Sequence, residues 1–244
     1  MESRILPKNQ IMDVTEERIS CAECEHCFSN SSLFSLLNES EIELLNSTRV
    51  SVSFKRREMI YKQGMPLTHL VIIHKGFGKI YIEGPTGKNL ILGFTKPYDL
   101  NGGIGVFIDH MHHSSLMASN DCETCLIDIN SFNQVMESNK VFLSAYLKEY
   151  SERVLRTYRQ FSILTQKNMQ ARMANVILYL SENISHSLSI QNVSKADLAE
   201  FTAMSRESAI RVMKEFRDEK YIEMEDQNIV ILNEKALRNI AFYG

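Results

Sequence analysis

Seven side chains, Leu143, Leu147, Tyr150, Val154, Thr157, Phe161 and Leu164, alternate spacings of four and three across three heptads. That stripe belongs to one long helix, and a lone helix has nothing to bury it against. Tyr146, Leu155 and Tyr158 add a second apolar flank. The spacing therefore predicts a seam for a second copy of the chain along one edge, with a domain of the same chain covering the other. Any fold for this sequence has to be built around that helix.

Before it, the apolar period is two or collapses into short runs. These are Val50-Ser51-Val52-Ser53-Phe54, Met59-Ile60-Tyr61, Leu70-Val71-Ile72-Ile73, Lys79-Ile80-Tyr81-Ile82, Leu90-Ile91-Leu92-Gly93-Phe94 and Cys125-Leu126-Ile127-Asp128-Ile129. Turn signals separate them at residues 63–64, 75–76, 84–87 and 96–97, and Gly84-Pro85-Thr86-Gly87 reads as a hairpin tip. Short strands at this spacing predict a sandwich or barrel. Residues 33–45 read as two short helices with a break and recap at Asn38-Glu39-Ser40-Glu41. Four segments result: a polar extension over 1–30, a β domain over 31–137, the long helix over 138–168 and a helical C-terminal domain over 169–244.

In the last segment a helix over 171–180 precedes the run 194–216. Ser194 with Asp197 three residues on has the form of a capping box, and Ser205 can cap a second helix. Two short helices joined by about four residues make a helix-turn-helix, and residues 222–232 read as two strands of a wing. The inner face of the second helix is expected to consist of Met204, Ala209, Ile210, Val212, Met213 and Phe216. Its first turns carry Ser205, Arg206, Glu207, Ser208, Arg211 and Lys214. Arg can donate two hydrogen bonds to guanine and Glu can accept from cytosine N4, so the set suits the reading of G·C pairs in double-stranded DNA.

Charge sharpens this. The whole chain has a formal charge of −3, which disfavours a surface that is basic everywhere. Residues 206–220 hold five basic and four acidic side chains, whereas 153–172 contain Arg153, Arg156, Arg159, Lys167 and Arg172 with no acid. A basic stretch leading into a helix-turn-helix is suited to phosphate contacts. No window approaches a membrane span, and MESRILPKNQIMDVTEER carries charges where a signal peptide needs an apolar core. A cytoplasmic location with no membrane partner is expected. Nucleotide loops, nucleophile elbows and paired metal-binding His motifs are missing from the sequence, so no enzyme activity is expected.

The order β domain, long helix, winged helix-turn-helix, together with Ser205-Arg206-Glu207-Ser208-Ala209-Ile210-Arg211, strongly resembles the Crp/Fnr superfamily of bacterial transcription regulators. The resemblance implies an α+β fold: a cupin-like β-roll similar to a cyclic-nucleotide-binding domain, a dimerisation helix and a winged helix-turn-helix. It further implies a homodimer on a pseudo-palindromic DNA site, RNA polymerase as a partner, and Arg206, Glu207 and Arg211 as base-reading residues. Ala203 stands where the turn commonly has Gly, and Ile210 where members place Gly or Ser, which implies a different base preference.

The signal is read from the cysteines and the cassette. Three of five cysteines, Cys21, Cys24 and Cys27, fall within seven residues, too few and too local for a disulfide framework. The iron-sulfur branch of the superfamily holds its cluster with three N-terminal cysteines and one at the end of the roll. That resemblance implies a cluster, of the 4Fe-4S type, on Cys21, Cys24, Cys27 and Cys125, although the third cysteine lies closer here than in Fnr. Zinc, with His26 or a more distant ligand, haem, another small ligand or no ligand stand as alternatives, as do two other classes, an iron-sulfur redox enzyme and a structural β-roll dimer. If residues 125–129 form a strand, Cys122 and Cys125 face opposite ways and only Cys125 is a ligand. The cyclic-nucleotide branch grips its phosphate with Glu, Arg and a small hydroxyl residue. The matching stretch here, 98–107, is Gly-rich, and no Lys or Arg occurs from Pro97 to Asn139. Cyclic AMP is therefore not expected.

Overall fold

The computed structural model describes residues 31–187, 189–225 and 228–244. A 3-10 turn, Phe34–Leu36, leads into α1 (Glu39–Thr48). The predicted recap is a full capping box: the Asn38 side chain accepts from the Glu41 N–H at 3.0 Å, and the Glu41 carboxylate accepts from the Asn38 N–H at 2.9 Å.

The period-two region folds into β1 (Val50–Phe54), β2 (Met59–Tyr61), β3 (His69–Lys75), β4 (Gly78–Glu83), β5 (Asn89–Thr95), β6 (Leu100–Asn101), β7 (Ser115–Ala118) and β8 (Cys122–Asp128). Two antiparallel four-stranded sheets result, in the orders β1-β8-β3-β6 and β2-β7-β4-β5. Residues 84–87 form the β4–β5 tip as read. β6 escapes the sequence reading because it is two residues long, and β7 because Leu116 and Met117 stand side by side and break the alternation.

Asp128 ends β8 and caps α2 (Ile129–Ser138) by accepting from the Asn130 and Ser131 N–H groups. Only Asn139 separates α2 from α3 (Lys140–Gln166). Its side chain accepts from the Phe142 N–H at 2.9 Å and donates to the Leu36 carbonyl and the Glu41 carboxylate. One polar residue thus sets the angle at which the long helix leaves the roll. Beneath it, Phe34, Phe132, Phe142 and Tyr146 meet edge to face at centroid distances of 5.6–5.8 Å. They belong to one buried cluster with Leu33, Leu45, Leu70, Cys125 and Ile127.

Phe142 and Tyr146 are the only buried side chains of α3. Tyr146 covers the roll as expected, but Leu155 (53% exposed) and Tyr158 (67%) do not. They lie beyond the first turns, where α3 has left the roll, and they widen the exposed apolar stripe that also carries Leu147 and Phe161.

α4 (Met169–Leu180), a π-type turn at Ser181–Ser185, β9 (Ser189–Ile190), α5 (Lys195–Phe201), α6 (Arg206–Asp218), β10 (Ile222–Glu225), β11 (Asn228–Ile231) and α7 (Glu234–Tyr243) complete the chain. The small sheet runs β10-β11-β9. Its core is shared with the roll, since Tyr81, Ile91 and Phe94 of the second sheet lie in one cluster with Ile177, Leu198, Phe201, Val212 and Phe216.

Phe132 is fully buried and touches both aromatic side chains that seat α3. Phe132→Ala should cost about 3–5 kcal/mol in chemical denaturation; a loss below about 1 kcal/mol would mean that the cluster does not hold the helix.

Candidate functional site

The helix pair is built from caps. The Ser194 hydroxyl accepts from the Asp197 N–H at 3.1 Å while the Asp197 carboxylate accepts from the Ser194 N–H at 2.9 Å, so Asp replaces the usual Glu in a working capping box. Ser205 caps α6 through the Ser208 N–H at 3.1 Å. Between the helices Ala203 holds φ +52°, the left-handed conformation that glycine adopts without strain.

Ala209, Val212, Met213 and Phe216 form the buried face of α6, and Met204 packs partly against it. Ser205, Arg206, Glu207, Arg211 and Lys214 are exposed and Ser208 is half-buried. The Glu207 backbone N–H and the Ser205 hydroxyl hold the Glu207 carboxyl below its ordinary range, so it is an acceptor at neutral pH. One residue departs from the sequence reading. Ile210, expected in the inner face, is 42% exposed, because the stripe through 209, 212, 213 and 216 leaves position 210 about 100° off the core side.

The acid-free run 153–172 also divides differently from its reading. Arg153 donates to the Leu100 carbonyl and pairs with Glu149, both at 2.5 Å. Arg172 donates to the carbonyls of Lys167 and Thr202, and Lys167 to that of Phe242. These three brace the fold, because long side chains on a helix between two domains reach unpaired carbonyls on either side. Arg156 and Arg159 remain exposed.

The helix pair is docked on the roll. Lys79 of β4 lies 2.5 Å from Asp197 and 3.5 Å from Glu200 of α5, with Lys79 and Asp197 about 15% exposed. Burial opposes the charge on each, but the partners outweigh it: the Asp197 pKa is lowered and that of Lys79 raised. Beside them Phe94 meets Phe201 at 5.7 Å and the Phe94 N–H donates to the Tyr179 hydroxyl. Lys79 had no local signal in the sequence, since its partner lies 118 residues away.

On the sensor side Cys125 sits in β8, 5% exposed, among Leu33, Phe34 and Ile127. The Arg49 guanidinium donates to its sulfur at 3.5 Å. Cys122 belongs to a different cluster, with Ile73 and Ala118, on the opposite side of the strand. Burial pushes its thiol up to about 11, and it donates to the Phe77 and Asn120 carbonyls, so it stays protonated. Cys21, Cys24 and Cys27 lie outside the described residues. Among the described residues no three His, Cys, Asp or Glu side chains are grouped to hold a metal, and no helix is long and apolar enough to cross a membrane.

The Gly-rich cassette reaches the long helix directly. Gly102 adopts φ +94°, and a Cβ at Gly103 would lie 2.6 Å from the Tyr146 hydroxyl, which donates to the Gly103 carbonyl. His113 pairs with Asp109 at 3.0 Å. His112 stacks on Tyr61 at 4.2 Å, and desolvation lowers its pKa. A cavity of about 840 Å³ lies between the cassette, β5, α3 and α4, lined among others by Tyr61, Thr95, His112, Arg153, Thr157 and Tyr179. Two of its buried polar atoms, His112 Nδ1 and Thr95 Oγ1, have no hydrogen-bond partner.

Two family models match this chain: the cyclic nucleotide-binding domain over residues 51–139 and the Crp-like helix-turn-helix domain over residues 171–240. The chain is 25% identical over 167 residues to the cAMP-activated global transcriptional regulator CRP of Pasteurella multocida, covering 66% of this chain and 80% of that protein. Among solved structures, FixK2 from Bradyrhizobium japonicum superposes with a TM-score of 0.73 at 16% identity, over 81% of this chain and 99% of that one. The c-di-GMP responsive regulator CLP of Xanthomonas campestris does so with a TM-score of 0.69 at 23% identity, over 80% and 99%.

The Lys79–Asp197 pair predicts a pH window for docking. A depressed Asp pKa contributes stability above about pH 4 that is lost as pH falls through the folded value. A raised Lys pKa contributes below about pH 10 and is lost as pH rises through its folded value. Lys79→Met leaves the Asp197 carboxylate without its partner and should therefore weaken docking by about 1–3 kcal/mol at neutral pH, read as faster amide exchange in β4, β5 and α5; unchanged exchange would mean that the pair is idle.

Proposed function

We propose that this chain, which belongs to the Crp/Fnr family of DNA-binding transcription regulators, adjusts its DNA binding through an iron-sulfur cluster held by Cys21, Cys24, Cys27 and Cys125. It is a regulator and not an enzyme. The observation that carries the sensor reading is Cys125: a buried thiol with a guanidinium on its sulfur, in the apolar cluster that holds Leu33 and Phe34. Ser31, where the described chain begins, is buried. Three residues lie between it and Cys27, and the four steps along the chain reach at most roughly 14 Å. A cation donating to sulfur suits a thiolate ligand. When bound, such a cluster supplies a redox centre whose potential depends on hydrogen bonds to its sulfurs and on solvent exposure.

Transmission follows from the packing. Cys125, Phe132, Phe142 and Tyr146 share one cluster, so a change in the position of the Cys125 sulfur bears on the residues that seat α3. The exposed stripe of Leu147, Leu155, Tyr158 and Phe161 is the surface for the second subunit. Tilting α3 changes the separation of the two α6 helices and hence their fit to a half-site spacing of about one DNA turn. On each half-site Arg206, Glu207 and Arg211 read base edges, while Ser205, Ser208 and Lys214 hold the backbone. RNA polymerase is the partner of the promoter-bound dimer in this reading.

A second reading rests on the cavity. Its volume suits a small ligand, and the unpartnered His112 and Thr95 atoms are placed to hydrogen-bond one. Cyclic AMP, which activates the Pasteurella relative according to its name, fits poorly here. Residues 97–139 hold no Lys or Arg to meet a buried phosphate, and Arg153, which lines the cavity, is committed to Leu100 and Glu149.

Protein purified without oxygen should be coloured and contain iron, and admitting air should bleach it and change its DNA affinity. Cys125→Ser should lose the iron and Cys122→Ser keep it. A colourless, iron-free protein whose DNA affinity ignores air would overturn the sensor reading and favour the cavity. Arg206→Ala should weaken specific binding by about 1–3 kcal/mol and relax preference at one base pair of each half-site; unchanged specific binding in a gel shift would overturn the role of α6.

A further inference from the structure

The outward face of α6 is polar except at one place. Ile210 stands 42% exposed, one helical turn after Arg206 and one before Lys214. At 3.6 residues per turn it lies between those two side chains, three residues on from Glu207 and next to Arg211. It borders a shallow depression shared with Met213 of α6 and Met224 of the wing, rimmed by Lys195, Lys214 and Arg217. The apolar face of α6 is already complete without it, formed by Ala209, Val212, Met213 and Phe216.

A single exposed isoleucine on a protein surface needs no explanation. The position of this one does, because every neighbour on its face is a charged donor or acceptor of the type that meets DNA. When that face enters the major groove, water leaves Ile210 as well. Among the four bases only thymine presents a methyl group there. Isoleucine suits that contact, since its β-branched side chain holds essentially one χ1 rotamer in a helix and is ordered before binding.

We infer that Ile210 is a base-reading residue whose side chain packs on the 5-methyl of a thymine, beside the base pairs met by Arg206, Glu207 and Arg211. The inference rests on the DNA-binding role of α6 stated above and adds to it the one contact that hydrogen bonding cannot supply. It gives each half-site a thymine whose recognition is insensitive to salt and depends on one carbon atom.

The test uses the full-length dimer and its preferred duplex, obtained by selection from random sequence. Each thymine of both half-sites is replaced in turn by deoxyuridine, which removes the methyl and leaves every hydrogen-bonding group. At one symmetric pair of positions the wild-type protein should lose roughly 4-fold per half-site, the value of one buried methyl group. Ile210→Ala, whose fold is checked by circular dichroism, should bind thymine and uracil equally there while keeping its preference at the pairs read by Arg206 and Arg211. Placing 5-methylcytosine at that position should restore part of the wild-type affinity relative to cytosine. Specific binding by the wild type with no methyl-dependent position, or a methyl effect equal in wild type and Ile210→Ala, would overturn the inference alone. If selection yields no preferred sequence, the DNA-binding role of α6 fails and this inference with it.

Discussion

The edge-to-face contact of Phe132 with Phe142 and Tyr146 carries more of this molecule than any other packing interaction. The long helix is mostly exposed, and its buried side chains, Phe142 and Tyr146, lie in its first two turns. Those turns rest on one buried aromatic group contributed by α2, which begins four residues after Cys125. β8, α2 and α3 are therefore consecutive in the chain and share one apolar cluster. Close-packed interiors resist small displacements and answer them by shifting whole elements, so β8 and the first turns of the 27-residue α3 are mechanically joined.

At the other end, electrostatics and burial cooperate to fix the reading head. The Asp197 carboxylate works twice, as the acceptor for the Ser194 N–H in the capping box of α5 and as the partner of Lys79 on the roll. The cap therefore forms against a carboxylate whose charge is held by the sensor domain. Arg172 and Gln160 add donors to the Thr202 and Phe201 carbonyls at the end of the same helix. α6 is left with its polar face clear, and the mildly acidic total charge of the chain has little bearing on that local surface.

Much of this architecture is legible in the sequence. Six of the eight roll strands, the long helix, both helices of the reading pair, the Ser194–Asp197 box and the Ser205 cap follow from periods of two or 3.6 and from cap chemistry, which are local signals. What was not legible depends on contacts between distant positions. Lys79 finds Asp197 and Arg49 finds Cys125 across 118 and 76 residues, and nothing in the neighbourhood of either marks it. Arg153 and Arg172 read as phosphate ligands because their charge is local information, whereas the carbonyls that hold them are not. Ile210 was misassigned for a simpler reason: at a run of Ala209-Ile210 both residues are apolar, and only the register of the helix tells which one faces in. β9, two residues long, carries too short a pattern to be separated from a loop.

Gly103 has a consequence for how such a cassette can change. The space that any side chain there would occupy is filled by the Tyr146 hydroxyl. Any side chain at 103 has to displace that hydroxyl, the outer end of Tyr146, and so breaks its hydrogen bond to the Gly103 carbonyl. The cassette and the first turns of α3 are therefore sterically linked: enlarging residue 103 moves a tyrosine ring that also packs on Phe132, so a change in the loop is carried into the seating of the long helix.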